Sequence, residues 1–203
     1  MLPSVSKGRR QLIGIIALFL LPPLLAWITW HYVDTHGVSA THNTGTLIQP
    51  ARPLPRTGLL VPKTGVPYDF SALRGRWFYT LYAGAECLTG CQEQLYITRQ
   101  IRIGVNKDIQ RVQRVLITQR PLSPNFQAML AEQHPDLIVM ELASDTAGRA
   151  WQQPFQDAGF DTQGASYFLV DPLGNLMMMY DNRMPSKGIL RDLQKLLKIS
   201  QIG

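Results

Sequence analysis

Cys87 and Cys91 are the only thiols in the chain, and they follow an uncharged run of Trp77, Phe78, Tyr79, Thr80, Leu81 and Tyr82. A run of aromatic, branched and apolar residues reads as a strand buried on both faces. Ala83, Gly84 and Ala85 break it. Beyond Cys91 the pattern turns weakly helical, with Leu95 four residues after Cys91 and Ile101 four after Ile97. The thiols therefore stand where a strand hands over to a helix. A helix N-terminus carries partial positive charge and unpaired N–H groups, and both favour a thiolate over a thiol. Residues four apart inside a regular helix hold their β-carbons about 5–6 Å apart, whereas a disulfide needs about 3.5–4.5 Å. A closed pair thus requires Cys87 in the loop ahead of the helix, where Gly90 lets the backbone bend. The residues alone allow three chemistries: thiol–disulfide exchange, a clamp for a soft metal such as Cu(I), or a static disulfide in an oxidising compartment. So short a loop constrains the unfolded chain little, which makes stabilisation a weak reason for the pair.

The elements that must position these thiols are legible around them. Val112–Thr118 reads as a second strand, residues 125–134 as a helix, residues 137–142 as a third strand and residues 148–158 as a helix containing Pro154. Residues 167–170 and 176–180 are apolar runs flanking Asp171, Pro172, Leu173, Gly174 and Asn175, a turn signal. Ser186–Ile199 closes the chain as an amphipathic helix with Ile189, Leu190, Leu193, Leu196 and Leu197 on one face. Strands alternate with helices and end in a hairpin and a final helix, which predicts an α/β domain with a mixed central sheet flanked by helices.

The chain has 203 residues, 45% of them hydrophobic. Lys7, Arg9 and Arg10 precede residues 12–33, an apolar stretch with no acidic or basic residue apart from His31. About 20 apolar residues cross a bilayer, so this stretch predicts one N-terminal transmembrane helix, with Pro22 and Pro23 tolerated inside it. Trp27, Trp30 and Tyr32 form an aromatic belt at its far end. The positive charges ahead of the span place residues 1–11 in the cytoplasm and the remainder on the exported side. Val38, Ser39 and Ala40 resemble a signal cleavage site, but the apolar run is longer than a signal core and ends well before Ala40, which favours an uncleaved anchor. Residues 34–66, rich in Gly, Thr and Pro, read as an extended linker, and residues 67–200 as the folded domain. The basic residues are scattered and form no stripe interleaved with aromatics, which argues against nucleic-acid binding. No nucleotide, flavin or haem motif is present.

The thiol pair at the end of the first long strand looks like the thioredoxin fold. More narrowly, residues 68–197 resemble the Sco/SenC family of membrane-anchored proteins that help assemble the copper centre of cytochrome c oxidase. Four features carry the resemblance: LRGRWFYTLY at 73–82, the C-x-x-x-C of Cys87 and Cys91, VLIT at 115–118, and YFLVDPLGNLMMMY at 167–180, which matches that family's strand-turn-strand near the metal site. The resemblance implies that Cys87 and Cys91 hold Cu(I) or exchange disulfides. It also implies an oxidase subunit or another assembly factor as partner, and a bacterial inner membrane location with the domain in the periplasm.

The chain departs from that family in specific places. Gln163 stands where the family's copper-binding histidine would fall, and Leu88 and Gln92 replace the prolines that follow each cysteine. His31, His36 and His42 belong to the anchor or linker, and His134 reads as a surface or capping residue. Met177, Met178 and Met179 offer soft thioethers but alternate faces on a strand, so they read first as core packing. Glu86 reads as surface-exposed. The resulting expectation is a Sco-like assembly factor working by thiol–disulfide exchange or copper handling at Cys87 and Cys91; if it is an enzyme, it is a thiol-disulfide oxidoreductase. The alternative is a non-catalytic membrane-bound scaffold that keeps the fold and holds a partner.

Overall fold

A computed structural model describes residues 7–36, 43–159 and 166–200. The chain divides into two units, residues 1–42 and 43–203. In the first, α1 (Lys7–His36) runs as one helix through Pro22 and Pro23. Its segment Gly8–Tyr32, 25 residues whose most apolar 18-residue window has a mean hydropathy of 2.3, is long and apolar enough to cross a membrane once. Large apolar side chains such as Leu18, Phe19 and Trp30 are exposed along it.

The second unit is built in chain order from β1 (Thr46–Pro53), β2 (Leu59–Leu60), β3 (Pro67–Tyr68), a 3-10 turn (Phe70–Leu73), β4 (Trp77–Ala83), α2 (Thr89–Gly104), a second 3-10 turn (Asn106–Arg111), β5 (Val112–Thr118), α3 (Pro124–Gln133), β6 (Ile138–Leu142), α4 (Thr146–Asp157), β7 (Ser166–Val170), β8 (Asn175–Asp181) and α5 (Ser186–Ile199). The strands form one mixed sheet in the order β1-β8-β7-β4-β5-β6-β2-β3. β4, β5 and β6 are parallel, while β7 is antiparallel to β4 and β8 to β7. This is the helix-flanked mixed sheet that the sequence predicts.

β4 is buried on both faces as its composition requires. Trp77, Tyr79 and Leu81 pack beneath α2, α3 and α5 against Leu95, Ile101, Phe126, Leu193 and their neighbours. Phe78 and Tyr82 pack on the opposite face against Trp151 and Phe155 of α4. Those two anchors, with the Asp145 side chain accepting from the Gly148 N–H at 3.0 Å, keep α4 helical despite Pro154. Ser123 caps α3 in the same way, accepting from the Phe126 N–H at 3.2 Å.

The linker expectation needs correcting. The folded unit starts at Asn43, and the stretch read as an extended linker supplies two strands of the sheet: β1 pairs with β8, and β2 with β6. Pro50 and Pro53 disguise β1, yet an edge strand tolerates proline because one side of its backbone needs no ladder bond. Buried Ile48, Leu54 and Leu59 hold the segment to the core.

Candidate functional site

β4 delivers the chain at Ala83 into a short loop, and α2 begins at Thr89. Cys87 lies in the loop and Cys91 in the first turn of the helix, and they form a disulfide with their Cα atoms 5.3 Å apart. This is the arrangement that C-x-x-x-C spacing demands of a closed pair. Both cysteines are half-buried, and Glu86 is exposed. Leu88 precedes the helix without a side-chain hydrogen bond to it, and the first turn has no acidic residue. The start of α2 therefore carries no acidic residue to neutralise its amide end, and a helix N-terminus favours a thiolate over a thiol.

Three hydrogen bonds hold the loop. The Ser123 N–H donates to the Ala85 carbonyl at 2.9 Å, the Gln92 side-chain amide to the Cys87 carbonyl at 3.2 Å, and the Asn182 amide to the Gly90 carbonyl at 3.0 Å. Asn182 follows β8 directly, so the end of that strand braces the cysteine turn from 92 residues away in sequence. Sequence reasoning missed it; a polar residue placed just after an alternating strand was the available signal. Tyr167, at the start of β7, is fully buried, and burial first, then the nearby Asp181 and Glu93 carboxylates, push its hydroxyl well above its ordinary range.

The strand-turn-strand at 167–180 lies differently from the expectation. Phe78 pairs with Val170, and the Gly75 N–H donates to the Pro172 carbonyl, so the turn sits at the opening end of β4. The cysteines follow its other end, and what approaches them is the start of β7 and the end of β8. The methionines pack the core as expected. Met178 is buried and accepts from the Tyr180 hydroxyl at 3.4 Å, while Met177 and Met179 pack against the core on its two sides. Met177 is the extra residue of a bulge between Met178 and Leu176, which pair with the consecutive Leu169 and Val170.

His134 occupies the capping position after α3, as expected, but it is buried rather than on the surface. Its Nδ1 lies 3.3 Å from the Arg114 guanidinium. Arg114, fully buried in β5, also donates to both Asp136 carboxylate oxygens at 3.2 Å and to the Leu95 carbonyl at 3.2 Å. Burial lowers the Arg114 pKa to about 10, opposed by Asp136. Burial, then Arg114 and Arg99, lower that of His134. His134 is thus committed to a structural network. His31 lies in the other unit, in α1, stacked on Trp27; the side chain of His36 and all of His42 lie outside the described residues, as does Gln163.

Copper fits this donor set poorly. Cys87 and Cys91 are bonded to each other, and among the described residues no three His, Cys, Asp or Glu side chains come together to hold a metal. Residues 160–165, around Gln163, include no His, Cys or Met. Among the described residues, reduction would leave two thiolates without the histidine ligand that the resemblance implies.

Residues 77–200 match the model of a family described as transmembrane-like, thioredoxin-like, C-terminal domain. The fold is similar to apo Sco1 from Thermus thermophilus, at 20% identity and a TM-score of 0.59, covering 78% of this chain and 99% of that one. It is also similar to yeast Sco1 with copper bound (14% identity, TM-score 0.59, 72% and 94% covered). A SCO1/SenC family lipoprotein from Bacillus anthracis gives 18% identity, a TM-score of 0.52, and 74% and 99% covered. Identities this low establish the shared fold. No curated protein sequence matches the chain.

Proposed function

Because the chain belongs to the transmembrane-like, thioredoxin-like, C-terminal domain family, we propose that it is a membrane-anchored thiol–disulfide exchange protein that assists cytochrome c oxidase assembly, its domain held on the periplasmic side of a bacterial inner membrane. The observation that supports the reading most is the Cys87–Cys91 disulfide, half-buried at the uncapped start of α2. The fold shared with Sco proteins and the single apolar helix α1 support the setting.

In the proposed step the reduced Cys87 thiolate attacks one sulfur of a partner disulfide. A Cys87–partner bond forms, and the partner's second sulfur leaves as a thiolate. Cys91, its thiolate favoured by the helix terminus, then attacks the Cys87 Sγ, closes the disulfide and releases the partner's first sulfur. Two electrons pass to the partner, and a membrane dithiol donor restores the reduced pair. The poor fit of the donor set favours exchange over copper carriage.

The test is oxidase assembly in the host. Cells lacking the protein regain cytochrome c oxidase activity with the wild-type chain and not with Cys87→Ser. Full rescue by Cys87→Ser would favour the scaffold alternative.

A further inference from the structure

α5 carries its exposed charge on one line. Ile189, Leu193 and Leu197 bury one face of the helix in the core. On the other side Lys187, Arg191 and Lys198 are exposed, with Gln194 among them. At about 3.6 residues per turn and about 1.5 Å per residue, the three cations fall within an arc of about 40° along roughly 16 Å of helix. None of the three has an ion-pair partner among the described residues. The one acid of the helix, Asp192, is buried, and its Oδ2 accepts the Thr44 and Gly45 N–H groups. Acids near the two ends are already paired: Asp181 with Arg183 ahead of the helix, and Asp108 with Arg111, whose guanidinium donates to the Leu197 carbonyl. No acidic side chain of α5 therefore neutralises the line.

What such a face meets follows from where the chain enters the folded unit. Thr44 and Gly45, held by Asp192, lie at the start of that unit, and Thr44 packs on Gly188 of the same helix. α1 ends at His36, so residues 37–42 are the whole connection to it. A chain of that length spans at most about 25 Å even when fully extended. A bilayer crossed by α1 therefore stays within reach of α5. The tether makes that contact intramolecular, so the weak attraction of each lysine or arginine for an anionic surface adds to the others without a separate encounter. A soluble acidic protein has no such advantage.

We propose that Lys187, Arg191 and Lys198 dock the exposed face of α5 on anionic lipid headgroups of the bilayer that α1 crosses. The docked face begins a few residues after Asn182, whose amide braces the cysteine turn, so docking presents that turn beside the headgroups. Docking presupposes that α1 spans the bilayer and is independent of thiol exchange.

The test uses the full-length chain in lipid nanodiscs, with Cys87 and Cys91 replaced by serine and a bimane label on a single cysteine. The label is introduced by Gln194→Cys on α5 or by Gln156→Cys on α4, which packs on the other face of the sheet. A lipid bearing a nitroxide on its headgroup should quench the label at position 194 about threefold more in discs containing phosphatidylglycerol than in pure phosphatidylcholine, and should treat the label at position 156 alike in both. Raised salt, or Lys187→Gln, Arg191→Gln and Lys198→Gln together, should return the quenching to the phosphatidylcholine level. Quenching that ignores lipid charge, is equal at the two positions, or survives the triple substitution overturns the proposal and leaves the face to solvent or to an acidic protein. A chain that does not stay with the discs removes the anchor reading of α1. A chain held in the discs without charge-dependent quenching removes the docking alone.

Discussion

Asp192 shows how a single carboxylate secures the start of the folded unit. It is buried in α5 and accepts the Thr44 and Gly45 N–H groups at 2.7 and 3.0 Å. Asp192→Ala strands the buried Gly45 donor and the half-buried Thr44 donor and should cost about 2 kcal/mol in chemical unfolding of the full chain, with Asp192→Asn costing less because its amide oxygen still accepts. His134 makes a pH prediction. Its folded pKa lies below the ordinary 6.5, so its contribution to stability is complete above about pH 6.5 and is lost as pH falls through the folded value. The unfolding midpoint of wild type should fall on acidification from pH 6.5, and that of His134→Gln should fall less. Asp69 and Asp181, with lowered values, act only below their ordinary 3.8 and leave this window clear. The buried network around His134 was invisible in sequence because its partners are remote: Arg114 meets Asp136 22 residues on and Leu95 19 residues back. An arginine inside the apolar strand Val112–Thr118 was the only hint of it.

Among the elements, legibility followed pattern strength. β5 and α5 occupy the residues expected, because an unbroken apolar run and a clean helical face leave few alternatives. β1 and β2 went unread, because proline and glycine mark loops in isolation and only the neighbouring β8 and β6 turn these residues into strands. The cysteine loop was legible for a geometric reason, since a C-x-x-x-C pair lying wholly inside a regular helix holds its β-carbons too far apart to close. What braces the loop, Asn182 and Ser123, was not, because both come from other elements. The packing of α4 offers an element-level test. A β-carbon on Gly148 would overlap the Ala143 backbone carbonyl, so Gly148→Ala must push the first turn of α4 off the strand it follows. It should destabilise by about 2 kcal/mol in thermal unfolding, where a helical glycine-to-alanine change ordinarily stabilises.

For the molecule as a whole, the two units differ in the environment their surfaces suit. α1 carries exposed Leu, Ile, Phe and Trp side chains along its length, whereas the second unit buries most of its large apolar residues in the two layers of its core and exposes only scattered ones such as Leu88, Tyr96 and Leu173. The chain should stay in the membrane fraction after alkaline carbonate extraction. An alkaline phosphatase fused after Gly203 should be active, since that enzyme matures only outside the cytoplasm; an inactive fusion would reverse the orientation. The central claim is that Cys87 and Cys91 cycle in the folded protein. It is tested most directly by equilibrating the native full-length chain in detergent with graded glutathione buffers and trapping the thiols. The pair should reduce reversibly without denaturant, and a Cys87–glutathione mixed disulfide should accumulate when Cys91→Ser removes the resolving thiol. A disulfide that stays closed under excess dithiol until the protein is unfolded would contradict it and make the bond a structural staple.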